Sequence, residues 1–138
     1  MKRKKDKNKN CGKVIIPVGH PSPPEQHEID VAFILARHYQ CDVEFLIPVD
    51  DYLRTSPDIL MRGVEWEIKC PKGKSRYTIQ EQFKRASRQA KSIIIDSRRT
   101  KLKYDGIEKQ VIFEAERRKS INRIILINKS GKVVEIKM

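Results

Sequence analysis

Cysteine is scarce in this chain and scattered. Cys11, Cys41 and Cys70 show no C-x-x-C spacing, which excludes a disulfide framework and points to a reducing compartment. His20, His27 and His38 form no zinc-ligand pattern with them. Long apolar runs are missing too. No stretch approaches the ~18 residues that span a bilayer, so a membrane helix is excluded. No apolar segment follows the basic N-terminus, so no secretory leader is expected and the place of action is expected to be cytoplasmic. Internal repeats are absent. The apolar fraction is a low 38%, but the apolar residues come in compact runs, so a folded core is expected. A length of 138 residues suits one domain rather than two.

What the chain has is positive charge, with 30 Lys and Arg against 18 Asp and Glu for a net +12. Such an excess favours a polyanionic partner, and nucleic acid is the commonest one. Its distribution says more than its sum. Residues 1–13 hold seven bases against one acid, and residues 1–12 read as a basic disordered tail that adds non-specific phosphate attraction. The single folded domain is expected over 13–138. Residues 21–68 carry ten acids against three bases, and residues 69–103 carry twelve bases against two acids. An acidic segment followed by a basic one suits a site that holds a cation and grips phosphates. Two solvated surfaces that happen to differ in sign would give the same pattern.

Punctuation and periodicity outline the elements. Residues 13–18 (KVIIPV) read as a short strand or extended arm, stopped by Gly19 and the prolines that follow. A helix starts near Pro24 or Glu25, with Glu25 and Glu28 in a first turn that favours acids, and Ile29, Ala32, Phe33, Ala36 and Tyr39 recur on one face. Residues 43–49 form a strand, and residues 50–57 a polar loop. Residues 58–61 and 64–70 read as strands joined through Arg62-Gly63, a fair hairpin signal. A second helix begins at Thr78, where Thr78-x-x-Glu81 has the form of a capping box; Ile79, Phe83, Ala86 and Ala90 mark its buried stripe. Residues 92–96 (SIIID) suit the middle of a sheet. Residues 106–119 contain a third helix, and 123–128 with 132–137 close the domain as a hairpin. The fold class is mixed α/β.

The chemistry lies in the first hairpin. With Arg62 and Gly63 as the loop, Met61 faces Val64, Leu60 faces Glu65, Ile59 faces Trp66, and Asp58 faces Glu67. Directly opposed residues bring their Cβ atoms to about 4.5–5.5 Å, where two carboxylates repel. A divalent cation between them removes the repulsion, and hard metals such as Mg²⁺ prefer carboxylate oxygens. Alternation puts Glu65, Glu67 and Lys69 on one face, with Val64, Trp66 and Ile68 on the other. Lys69 then stands over the same metal position, able to orient or deprotonate an attacking water while the metal polarises a phosphate.

Ser56-Pro57-Asp58 followed by Glu67-Ile68-Lys69 matches the PD-(D/E)xK motif, and the chain resembles that nuclease superfamily. The resemblance implies a mixed central sheet built as helix, three-strand meander, helix and strand, here with a C-terminal helix and β-hairpin added. Within the superfamily the chain is similar to the C-terminal nuclease domains of CdiA-type contact-dependent growth-inhibition toxins. Ser56-Pro57-Asp58-Ile59-Leu60, Trp66 to Gly73 (WEIKCPKG) and residues 87–96 (SRQAKSIIID) carry that likeness, over about residues 20–138. It implies cleavage of tRNA or DNA with a divalent metal, Mg²⁺ first and Mn²⁺ or Zn²⁺ as alternatives. It also implies an acid from the first helix at the site and a cognate inhibitor, an immunity protein, as a partner. Glu28 is the candidate acid, with Glu25 second. The chain departs from a full toxin in showing no delivery region.

Blander roles stand beside these. Asp58 and Glu67 would also serve as surface acids paired with Arg62 or Lys69, and Glu28 as an acid complementing the helix dipole. Gln82, one turn into the second helix, either orients substrate or faces solvent. Lys72, Lys74, Arg76, Arg85 and Arg88 read as phosphate contacts taken as a group. Tyr77 either stacks on a base or braces its loop. Glu65 reads as solvated, Trp66 as core, and Cys70 as a small core residue rather than a nucleophile. The leading function is metal-dependent phosphodiester hydrolysis of RNA or DNA. The alternative is a basic nucleic-acid-binding protein without catalysis.

Overall fold

The computed structural model describes residues 12–48 and 56–138. The basic tail and most of the polar loop over 50–57 lie outside the described residues. Within them are strands β1 (Val14–Ile15), β2 (Val43–Phe45), β3 (Ile59–Met61), β4 (Val64–Lys69), β5 (Ser92–Asp96), β6 (Arg123–Ile127) and β7 (Val133–Lys137). Helices α1 (Gln26–Tyr39), α2 (Thr78–Ala86) and α3 (Tyr104–Arg117) connect them. The seven strands form one mixed sheet in sequential order. β1 pairs with β2 in parallel, β2–β3–β4 is an antiparallel meander, β4–β5–β6 is parallel, and β7 returns antiparallel to β6. The parallel neighbours β4/β5 and β5/β6 are joined through α2 and α3, because a parallel return needs a long crossover.

The sheet separates two apolar layers. Val31, Ala32, Leu35 and Ala36 of α1 pack against Phe45, Ile59, Trp66, Ile68, Ile94 and Ile125. Ile79 and Phe83 of α2, with Ile107 and Val111 of α3, pack against Ile93, Ile95, Ile124 and Leu126. β5 is buried along its whole length, with Ile94 in one layer and Ile93 and Ile95 in the other. That is why it reads as a continuous apolar run rather than an alternating one. Each such side chain contributes roughly 1.5–3 kcal/mol on full burial.

Local chemistry explains most boundaries and several departures from the expected ones. α1 starts with a reciprocal capping box between Glu25 and Glu28 and stops where Gln40 turns left-handed. Its buried stripe is Val31, Ala32, Leu35 and Ala36; Phe33, expected inside, is 53% exposed, since it lies past the edge of the i, i+4 rows that meet the sheet. The box expected at Thr78 does not form. The turn before α2 is already wound, with Thr78 N bonded to Ser75 O at 3.0 Å and Glu81 N to Tyr77 O at 2.9 Å, so Tyr77 occupies the N-cap. β1 and β2 are shorter than their apolar runs, with Pro17 two residues beyond the end of β1 and Pro48 three beyond the end of β2. β3 begins at Ile59 rather than Asp58, and α3 begins at Tyr104 rather than Gly106. No helix among the described residues is long and apolar enough to cross a membrane.

Candidate functional site

The β3–β4 hairpin has the register its turn chemistry requires. Arg62 and Gly63 both take positive φ, 53° and 76°, as a two-residue hairpin turn of the primed type demands. Ile59 then pairs with Trp66, Leu60 with Glu65, and Met61 with Val64. One step further along, Asp58 N donates to Trp66 O at 2.9 Å, and the Asp58 Oδ2 atom accepts from Ile68 N at 2.7 Å. This backbone bond locks the Asp58 carboxylate against the end of β4. Glu67 lies beside it and is only 4% exposed.

Burial, and then the neighbouring Asp58 carboxylate, push the Glu67 carboxyl up to about 8, with Lys69 pulling the other way. Lys69 Nζ sits 3.2 Å from Glu67 Oε2. The other oxygen, Oε1, is buried without a hydrogen-bond partner among the described residues. Two carboxylates can share a hydrogen bond only through a proton, so an ionised Glu67 beside Asp58 leaves Oε1 unmatched. Hydrogen-bond donors satisfy nearly all buried polar atoms in folded proteins, and an orphaned carboxylate oxygen facing a second carboxylate suits a hard cation. Asp58 and Glu67 are the two residues here that could hold a divalent metal.

Glu28 is less directly placed. It lines a cleft of about 220 Å³ with Asp58, Glu25, His20, Ser56 and Pro57, but its Oε1 accepts from Glu25 N at 2.9 Å as half of the capping box. Among the described residues no group of three or more His, Cys, Asp or Glu is arranged to hold a metal ion. The structure thus brings Asp58, Glu67 and Lys69 together and leaves Glu28 across the cleft, already engaged.

The basic candidates occupy the loop that leaves the site and the helix after it. Lys72, Lys74, Arg76 and Tyr77 are exposed between β4 and α2, as are Arg85 and Arg88 beyond; Gln82 is half-buried. The Arg76 guanidinium lies 4.9 Å over the Tyr77 ring and donates to its hydroxyl at 2.7 Å. Gln110 Nε2 donates to Arg76 O at 3.2 Å, which ties the loop to α3. Glu65 is exposed and Trp66 is core.

Cys70 is not simply core filler. Its thiol lies 3.6 Å from Asp96 Oδ2, and burial with that neighbouring carboxylate pushes its pKa up, so it is a poor nucleophile. Asp96 and Arg98, which face this end of the sheet, carried no sequence signal beyond an acid at the end of an apolar strand.

Residues 54–133 match the family described as the contact-dependent growth inhibition CdiA C-terminal domain. The fold is similar to a chain of a "CdiA-CT/CdiI toxin and immunity complex from Burkholderia pseudomallei", with a TM-score of 0.66 and 20% identity over 89% of this chain and 98% of that one. No curated protein matches.

Proposed function

Since the chain belongs to the contact-dependent growth inhibition CdiA C-terminal domain family, we propose that it is a toxin domain that acts as a metal-dependent nuclease of the PD-(D/E)xK type. The observation that carries this is the buried pairing of Asp58 with Glu67, one oxygen of which lacks a donor, 3.2 Å from Lys69 at the other. A fold with an antiparallel meander, a crossover helix and a parallel fourth strand supports the superfamily assignment.

Asp58 and Glu67 would hold the divalent ion, Mg²⁺ by preference with Mn²⁺ or Zn²⁺ as substitutes, and Glu28 would complete the acid set from across the cleft. When bound, such an ion supplies a low-pKa water and polarises the scissile phosphate. Lys69 orients the attacking water, assists its deprotonation and offsets charge on the oxygens of the transition state. Asp58 keeps its direction through the Ile68 N–H bond. Lys72, Lys74, Arg76, Arg85 and Arg88 grip the backbone of tRNA or DNA, Gln82 orients it, and Tyr77 offers a face for a base. The similar solved chain is a toxin held by an immunity protein, and this chain is assigned a corresponding inhibitor, acidic to match its +12 charge. Its substrate places its action in the cytoplasm.

The test incubates the protein with plasmid DNA and with total tRNA, each with Mg²⁺, Mn²⁺ or Zn²⁺ and then with chelator. Asp58→Asn, Glu67→Gln and Lys69→Ala are expected to lose cutting while retaining binding. Asn is the better probe at position 58 because it keeps an acceptor for Ile68 N. Tight binding of both nucleic acids by a folded protein that cuts neither with any metal would instead establish a non-catalytic binding protein.

A further inference from the structure

Asp96 ends β5 with no exposed surface. Arg98, two residues on, closes a two-pronged pair on it, Nε to Oδ1 at 2.8 Å and Nη2 to Oδ2 at 2.9 Å, while its backbone N–H also reaches Oδ1 at 3.1 Å. The pair does not end there. Arg98 Nη2 donates to His27 O at 3.2 Å, the residue before Glu28, and Asp96 Oδ2 lies 3.6 Å from the thiol of Cys70, the residue after Lys69. The same segment reaches a third partner, since Thr100 Oγ1 and Lys101 N both donate to Gly73 O, at 2.7 and 3.3 Å. Its own footing is β6, where Ser97 N and Oγ bond Ile127 O at 3.0 and 2.6 Å.

Residues 96–101 therefore touch the three segments that carry the site: the start of α1, the end of β4 and the basic loop. Burying an ion pair is seldom the best use of the space for stability, because desolvation cancels most of its attraction and a well-packed apolar substitute is often no worse. A planar guanidinium does supply several donors in fixed directions. We propose that Asp96 and Arg98 are positioning residues that hold Glu28 and Lys69 in one geometry across the sheet, while Thr100 separately sets the basic loop. This rests on the nuclease reading for its catalytic consequence and on the hydrogen bonds alone for its structural one.

Two variants and two readouts test it. Arg98→Lys keeps the charge but cannot make the fork and reach His27 O together. Amide hydrogen exchange in this variant is expected to speed up at residues 27–30 and 70–72, with protection in β6 and α3 unchanged. Its kcat is expected to fall at least about tenfold, as a displacement of an ångström or less can cause, with KM unchanged. Thr100→Val is expected to leave kcat and those two segments alone, to speed exchange at 73–75 and to raise KM. Unchanged exchange at 27–30 and 70–72 in Arg98→Lys overturns the clamp, whether or not the protein cuts nucleic acid. Faster exchange there with full kcat in an active protein overturns its role in positioning. If the wild type cuts nothing, the nuclease reading fails, and the exchange pattern still decides the clamp.

Discussion

Replacing Glu67 by Gln should make this protein more stable at neutral pH, although it removes a residue placed in the site. In the unfolded chain a glutamate titrates near ~4.3; in the fold, burial and Asp58 push Glu67 up to about 8. The folded state thus binds this proton more tightly than the unfolded one. Below the unfolded value both states are protonated and there is no penalty. Between the two values unfolding releases a proton, so stability falls as pH rises, and above about 8 the loss is complete. A tenfold change in proton affinity is about 1.4 kcal/mol, so at pH 7 the fold carries a penalty on the order of 3 kcal/mol. Gln keeps the shape, drops the charge and gives Asp58 a permanent N–H donor in place of the shared proton. Urea unfolding of both proteins from pH 5 to pH 8.5, without metal, should show the variant's advantage at about 1 kcal/mol at pH 5 and growing to about 4 kcal/mol by pH 8. Carboxylates away from the Asp58–Glu67 pair contribute equally to both curves and drop out of the difference. Adding Mg²⁺ or Mn²⁺ at pH 8 should stabilise the wild type and not the variant. A pH-independent difference, or a variant less stable at pH 8, would refute the claim that Glu67 is held in the fold at a cost.

Glu28 has two roles that substitution can separate. Glu28→Ala removes half of the capping box and should cost about 0.5–2 kcal/mol, whereas Glu28→Gln keeps the cap; a thermal melt unchanged in Gln with cutting abolished identifies the carboxylate as part of the site. Gly63→Ala forces a side chain onto a residue at φ 76° and should cost about 1–2 kcal/mol in urea unfolding; an unaffected midpoint would show that the turn does not hold the register. Changing Lys72, Lys74 and Arg76 together to Ala should make nucleic-acid binding less sensitive to salt, the slope falling by about 0.7–0.9 for each phosphate these side chains neutralise. Metal-dependent cutting of bound substrate should be retained.

Much of the fold is legible because short-range rules dictate it. The five-residue run Ser92–Asp96 has no polar position between its two ends, so only the centre of a sheet covered on both faces can accept it. Arg62-Gly63 announces a hairpin, and the period of two then places Glu67 and Lys69 on one face opposite Trp66 and Ile68. Other features depend on competition the sequence does not display. Thr78 was displaced as a cap by a turn wound from Ser75, and Phe33 gave way to Leu35 because the angle of α1 on the sheet, not its composition, selects the buried row.

For the site itself, the sequence by itself determined that Asp58, Glu67 and Lys69 are neighbours, since a two-residue turn admits one register and strand geometry does the rest. Tertiary structure alone decided what surrounds them. Glu67 became a buried carboxylate with an unmatched oxygen only when the chain folded, with α2 packing against β4. The Asp96–Arg98 pair reached His27 and Cys70 only when segments 71 and 26 residues distant met at one end of the sheet. Spacing encodes contacts between adjacent strands; contacts between layers follow from how the layers pack.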